Sequence, residues 1–202
     1  MLNAALLIYV AHVGFWASFG LTRALTRGSP ESPQEHVAGP EVVAQQEDTA
    51  PFSRIVLGFH MLAFGLMYFG IGNAVIPDRV PSWFAGQRVL GVLVIALGAA
   101  LMSWAVAFFH SWRFRAKLDQ GHQLATEGPF RLLRHPIYMG LNLLALGTAI
   151  WVPTPVVWAA FVMMAVGSDL RARSEEALMR RAFGSAYTQY CARTRRFVPG
   201  LY

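Results

Sequence analysis

Residues 136–178 read PIYMGLNLLALGTAIWVPTPVVWAAFVMMAVGSDLRARSEEAL. Two apolar runs lie within them, Ile137 to Trp151 and Val156 to Gly167. A helix needs about 20 apolar residues to cross roughly 30 Å of hydrocarbon, so each run is marginal alone. Val152-Pro153-Thr154-Pro155 stands between them. Proline removes a backbone donor and breaks a helix interior. The pattern therefore predicts a tight helical hairpin, two legs turning at the prolines. Pro136 sits where proline opens a helix, at its first position. Beyond Gly167, residues Asp169 to Tyr202 alternate charged and aromatic side chains. They are expected to form an amphipathic helix lying on the membrane surface.

Moving toward the N-terminus, three longer apolar stretches appear. Leu2 to Leu21 is apolar apart from Asn3, His12 and Ser18, and its positive charges, Arg23 and Arg27, follow it. A signal peptide normally begins with its positive charge, so this run is read as a retained first helix. Ile55 to Ile76 is a second span, with Gly58, Gly65, Gly70 and Gly72 expected to allow close helix packing. Val89 to Phe109 is a third. Gly28 to Pro51 is rich in proline and acid and lacks aromatics. It reads as a solvated linker that cannot bury enough surface to order itself. Trp83 is placed as an interface anchor.

Composition agrees. The chain of 202 residues is 55% hydrophobic and 14% charged, against about 45–50% and about 25% in soluble domains. The fold expected is all-α and membrane-integral, with five transmembrane legs. The single cysteine, Cys191, cannot form an internal disulfide and argues against cysteine-rich zinc or iron–sulfur sites. No metal site is expected. The net charge of +6 could suggest nucleic acid. In a membrane chain it reports cytoplasmic loops and anionic lipid, so membrane lipids are the expected partners and nucleic acid is not. No obligate protein partner is evident.

With five legs, fifteen of the seventeen Lys and Arg residues fall on one side, leaving only Arg79 and Arg88 on the other. The positive-inside rule then puts residues 119–134 and the C-terminal tail in the cytoplasm and the N-terminus outside. An inner or plasma membrane is the expected location.

The unusual residues gather at the cytoplasmic bases of the hairpin. One group runs from Gly121 to Gly140, the other from Asp169 to Leu178. If the legs pack antiparallel, His135 and Tyr138 approach Arg171 and Glu175. The last two are four apart and share a helix face; Glu176 lies about 100° further round. Each feature has an ordinary reading. Arg171–Glu175 can be a plain helix pair, Gly128-Pro129 a turn, and Arg131 and Arg134 positive-inside residues. Charged groups near hydrocarbon, however, are costly and usually functional.

Together the segments resemble the isoprenylcysteine carboxyl methyltransferase family and, more broadly, membrane phospholipid and small-thiol methyltransferases. The shared pattern is Gly128-Pro129-Phe130-Arg131, then Arg134-His135-Pro136-x-Tyr138-x-Gly140, a hairpin, and Arg171-x-x-x-Glu175-Glu176. Phe183-Gly184, Tyr187, Tyr190 and Arg196-Phe197-Val198-Pro199-Gly200 follow. The resemblance covers roughly residues 108–202. With the apolar runs above, the chain divides into a first transmembrane helix (1–27), a linker (28–51), helices two and three (52–110) and a catalytic region (111–202) with hairpin and C-terminal cap.

The resemblance implies an S-adenosylmethionine site closed by the C-terminal segment. His122, Gln123, Leu124, Ala125, Phe130, His135, Pro136, Ile137 and Tyr138 would line the cofactor. Glu175 would hold its amino group and Arg171 would orient the substrate. A carboxylate suits an ammonium through charge-assisted hydrogen bonds, and aromatic rings suit adenine and a sulfonium. The implied reaction is methylation of a lipophilic or small carboxyl, thiol or hydroxyl acceptor, with phospholipid N-methylation as the alternative. Two departures bear on the acceptor: Ser111-Trp112-Arg113-Phe114-Arg115-Ala116 replaces a common Gly-Arg/Asn-Phe-Ser-like stretch, and Phe130 stands where tyrosine is common. A haem- or quinone-binding protein is the rival of another class, because His12, His60 and His110 lie in or near spans.

Overall fold

The computed structural model describes residues 4–26, 50–75, 79–108 and 124–198. His122, Gln123, His110 and nearly all of the 28–51 linker lie outside the described residues. Among those described, the helices are α1 (Ala4–Thr26), α2 (Ala50–Val75), α3 (Gln87–Phe108), α4 (Pro136–Trp151) and α5 (Pro155–Arg193). A 3-10 turn, Gly128–Arg131, precedes α4.

Among the described residues, three helices are long and apolar enough to cross a membrane: Ile55–Val75 of α2, α3, and α5. α4 is apolar but has only 16 residues, about 24 Å at 1.5 Å per residue. α1 has the length, 23 residues, and an apolar character close to that of α2.

Successive helices run in alternating directions. α3 and α4 cross at two glycine pairs. A Cβ on Gly147 would lie 2.6 Å from the Gly91 carbonyl oxygen, and one on Gly98 would lie 2.8 Å from that of Gly140. Position 91 meets 147 while 98 meets 140, so the two helices are antiparallel. Lipid supplies no hydrophobic drive between helices, so backbone contact of this kind holds them. α2 and α5 are also antiparallel. Gly70 meets Val157, and Gly167 meets the ring of His60. The glycines expected to pack the second span behave differently: Gly58, Gly65 and Gly72 face open space, and only Gly70 makes a close approach.

The hairpin is formed as expected. α4 ends at Trp151 and α5 starts at Pro155, where the Thr154 hydroxyl accepts from the Val157 N–H at 3.4 Å. The expected surface helix differs. α5 continues past Asp169 without a break as far as Gly184, which has φ 51 and ψ −120. No breaker lies between Gly167 and Gly184, and the intervening Arg, Ala, Glu, Leu and Met residues are strong helix formers. Pairs four apart support them, including Arg173 to Asp169 at 2.6 Å. After the Gly184 kink, Tyr187 and Tyr190 pack with Phe183 against Leu124. Residues 194–197 then form a strap beside Leu133. Arg134 N–H donates to the Arg195 carbonyl at 2.7 Å, and Arg195 N–H to the Leu132 carbonyl at 3.3 Å.

Candidate functional site at the base of the hairpin

The first turn of α4 and the charged part of α5 meet at one end of the bundle. Pro136 opens α4, with His135 as its N-cap residue. Two turns of α5 oppose it. The Tyr138 hydroxyl donates a short hydrogen bond to Glu175 Oε1. Arg171 Nε donates to the same oxygen at 3.3 Å. The Arg171 guanidinium also lies 5.6 Å from the centre of the Tyr138 ring, within cation–π range. Arg171 is only 8% exposed, whereas a fifth of the Glu175 side chain is open, at 20%.

His135 stacks on Tyr138, with ring centres 5.7 Å apart and planes inclined by 12°. Its Nδ1 lies 3.6 Å from Glu175 Oε2 and its Nε2 lies 3.4 Å from Glu176 Oε1. Nε2 is buried and has no well-formed hydrogen bond. Burial alone would lower the pKa of His135. Its contacts with Glu175 and Glu176 outweigh that, and the imidazolium persists above the ordinary histidine range.

Four of the expected residues therefore come together: His135, Tyr138, Arg171 and Glu175. The others surround them more loosely. Pro136 and Ile137 are buried at the start of α4. Phe130 is buried in the main core, and its carbonyl accepts from the Tyr190 hydroxyl at 2.8 Å. Ala125 packs on that core, while Leu124 belongs to the separate cluster with Tyr187 and Tyr190.

Glu176 is the residue whose weight sequence reasoning missed. It is fully buried, at 0% exposure. It accepts from Arg134 Nε at 2.9 Å and from Arg196 at 3.0 and 2.9 Å. Arg180 reaches it at 3.3 Å, and Arg196 also donates to Asp169 Oδ1 at 3.0 Å. This carboxylate ties α5, the N-cap of α4 and the strap together. The Glu175-Glu176 doublet was the available signal, but helix geometry alone did not say which acid faced inward.

The two described histidines of the apolar helices are engaged with protein groups. His12 Nε2 lies 2.9 Å from Thr148 Oγ1, and His60 Nε2 lies 3.3 Å from Ser168 Oγ.

The long apolar helices, with a buried Arg–carboxylate–Tyr–His cluster at one end of the bundle, give the architecture of a helical membrane protein. Residues 86–186, half of the chain, match the family model described as phospholipid methyltransferase, and the chain belongs to that family. The match starts one residue ahead of α3 and well before the resemblance seen from residue 108 onward. Over 129 residues, 61% of the chain, it is 28% identical to a "Probable protein-S-isoprenylcysteine O-methyltransferase" of Oryza sativa subsp. indica. Over the same length it is 30% identical to "Protein-S-isoprenylcysteine O-methyltransferase B" of Arabidopsis thaliana. These stretches span 65% and 64% of the two relatives, just under two-thirds of their length.

Proposed function

We propose that the chain is a membrane methyltransferase that uses S-adenosylmethionine and acts at the cytoplasmic face on a lipophilic or small acceptor. One observation carries this reading. Glu175 is a carboxylate held by Tyr138 and Arg171 through one oxygen, with His135 Nδ1 3.6 Å from the other, and a fifth of its side chain is open. A partly open, preorganised carboxylate beside a stacked aromatic pair fits a ligand bearing an ammonium and a sulfonium. Family membership and the relatives' names support the same chemistry.

When bound, S-adenosylmethionine supplies an electrophilic methyl group on a cationic sulfur. Glu175 would hold the amine, and Tyr138 and His135 would flank the ligand. Arg171 would orient the acceptor. Methyl transfer is an in-line displacement, so alignment and exclusion of water should provide most of the rate. The bundle's polarity supports a cytoplasmic site. α1 runs toward the site, since His12 contacts Thr148 while Ser18 contacts Ser103 of α3, and Phe108, near the end of α3, abuts Gly128. Arg23 and the site thus share one end of the bundle, the arginine-rich end.

The test is twofold. Labelled S-adenosylmethionine and native membrane extract should yield a labelled lipophilic or small product. Glu175→Gln should weaken calorimetric affinity for S-adenosylhomocysteine by roughly tenfold or more, since a charge-assisted bond contributes about 1.5–3 kcal/mol. Unchanged affinity in a folded Glu175→Gln protein would remove the role given to this residue.

A further inference from the structure

His135 lies between two acids of unequal freedom. Its Nε2 is 3.4 Å from Glu176 Oε1, and its Nδ1 is 3.6 Å from Glu175 Oε2. Glu176 has no exposed surface and already accepts from Arg134, Arg180 and Arg196. Glu175 is held by Tyr138 and Arg171, yet a fifth of its side chain is open. A cation arriving from outside therefore reaches Glu175 and not Glu176. It arrives beside Nδ1 of His135.

Among the described residues, the groups around that ring come from three elements. α5 brings Arg171, Glu175 and Glu176, with Asp169 bound to the strap. The start of α4 brings Arg134 and Tyr138. The strap brings Arg196, through Glu176, and the ring of Phe197, whose centre is 6.1 Å away. Within this cluster Asp169, Glu175 and Glu176 are matched by Arg134, Arg171 and Arg196 when His135 is neutral. Arg173 and Arg180 are 59% and 54% exposed, and solvent screens their charge.

The proton of His135 thus makes the cluster net positive. Burial works against that charge, and the two carboxylates sustain it. An ammonium on Glu175 would set a second positive charge beside the first, and a like charge at this range disfavours the charged form. The imidazolium is the group that yields. Arginine keeps its proton, and the ammonium stands on the open side of Glu175, where burial penalises it less than the enclosed ring.

We infer that the His135 imidazolium is a placeholder for the ligand's ammonium: the ammonium takes Glu175, and His135 releases its Nδ1 proton and turns from donor into acceptor. This rests on the S-adenosylmethionine reading above. The proton leaves at Nδ1, on the side where Glu175 is open, and passes to water. Nε2 keeps its hydrogen, because a carboxylate accepts and does not donate, and Nε2 faces Glu176. The freed Nδ1 lone pair gives the ammonium a second acceptor beside Glu175 Oε2. In the empty protein the same ring keeps Glu175 from standing as an uncompensated buried charge, which would be costly. The device favours ligands that bring a positive charge over neutral nucleosides.

The experiment titrates the full chain, in nanodiscs of zwitterionic lipid, with S-adenosylhomocysteine, which carries the ammonium without the sulfonium. Calorimetry near neutral pH in phosphate and in Tris, whose protonation heats differ, should report release of up to about one proton per ligand bound. Affinity should rise by up to about tenfold per pH unit toward the free-state titration of His135 and level off above it. Nitrogen-15 spectra of labelled histidine should show His135 as imidazolium in the free protein and as the Nε2–H tautomer with ligand bound. Carbon-13 labelling of arginine carbonyls singles out its signal without any substitution, since His135 is the one histidine that follows an arginine. His135→Gln should bind without proton release, and the wild-type spectra decide the matter whether or not that variant folds. A His135 that stays imidazolium with ligand bound overturns the inference, even where a proton is released, because that proton then came from the ligand. A His135 already neutral in the free protein at neutral pH overturns it too. Absence of binding sinks the cofactor reading and this inference with it, whereas binding with an unchanged His135 sinks this inference alone.

Discussion

Glu176 and Arg196 are joined by two hydrogen bonds, Nε to Oε1 at 3.0 Å and Nη2 to Oε2 at 2.9 Å. Twenty residues and a helix kink separate them in the chain. The carboxylate is fully buried and also receives Arg134, which donates to the Thr194 carbonyl at 2.6 Å as well. One acid thus fixes the strap against the start of α4, next to the His135–Tyr138 stack.

Glu176→Gln keeps the shape and removes the charge, leaving the partly buried Arg134 guanidinium without this carboxylate and Arg196 still paired with Asp169. Breaking a buried ion pair from one side costs about 3–5 kcal/mol. The strap should detach before the bundle unfolds. Trypsin should then cut after Arg193, Arg195 and Arg196 much faster than in wild type, while the apolar helices stay protected. Cleavage at the wild-type rate would mean the strap is held by something other than this pair.

The two glycine pairs of α3 and α4 make a contrast that can be measured. Gly147→Leu places its Cβ 2.6 Å from the Gly91 carbonyl oxygen, where backbone must move. Overpacking of this kind costs about 1–3 kcal/mol or more. Gly72→Leu adds a side chain with nothing within 4 Å of its Cβ and should leave thermal stability nearly unchanged. Equal melting temperatures for the two variants would show that the α3–α4 crossing tolerates separation.

This contrast also shows what the sequence could and could not convey. The hairpin was legible because prolines forbid helix continuation whatever surrounds them. The clustering of His135, Tyr138, Arg171 and Glu175 followed once that hairpin was granted, since antiparallel legs must bring their bases together. Glycine was less informative. The four glycines of α2 look like a packing stripe, yet three face open space, while the working pairs lie seven residues apart on α3 and α4. Which face of a uniformly apolar helix turns inward depends on its neighbours, and periodicity is weak when lipid and core are equally apolar. The continuity of α5 was missed for a related reason. The change from apolar to charged residues at Asp169 marks a change of surroundings, not of backbone.

His135 gives a pH dependence of defined sign. Its imidazolium is held by Glu175 and Glu176, and its pKa is raised on folding. The stabilisation is therefore fully present below the unfolded value, about 6.5, and is lost as pH rises through the higher folded value. Thermal stability in nanodiscs should fall from neutral into mildly alkaline pH. His135→Gln should be less stable at pH 6 and should lack that alkaline decline. A variant whose stability tracks wild type across this range would show that the ring is held neutral.

Arg171 decides whether the pair on α5 is structural or also orients the acceptor. Its Nε donates to Glu175 Oε1, and its guanidinium lies near the Tyr138 ring. A lysine at this position can keep a positive charge near Glu175. It cannot keep the planar fork that binds a carboxylate or phosphate through two parallel hydrogen bonds, nor the same contact with the ring. Arg171→Lys is expected to fold and to bind S-adenosylhomocysteine within about threefold of wild type, a difference under roughly 0.7 kcal/mol. Its methyl transfer should fall by at least tenfold, because alignment of the acceptor is lost while the cofactor is still held. Calorimetry and turnover on the same preparation separate the outcomes. Near-normal turnover sinks the orienting role. A parallel loss of affinity and turnover would instead make Arg171 the positioning partner of Glu175, acting on the cofactor side of the site.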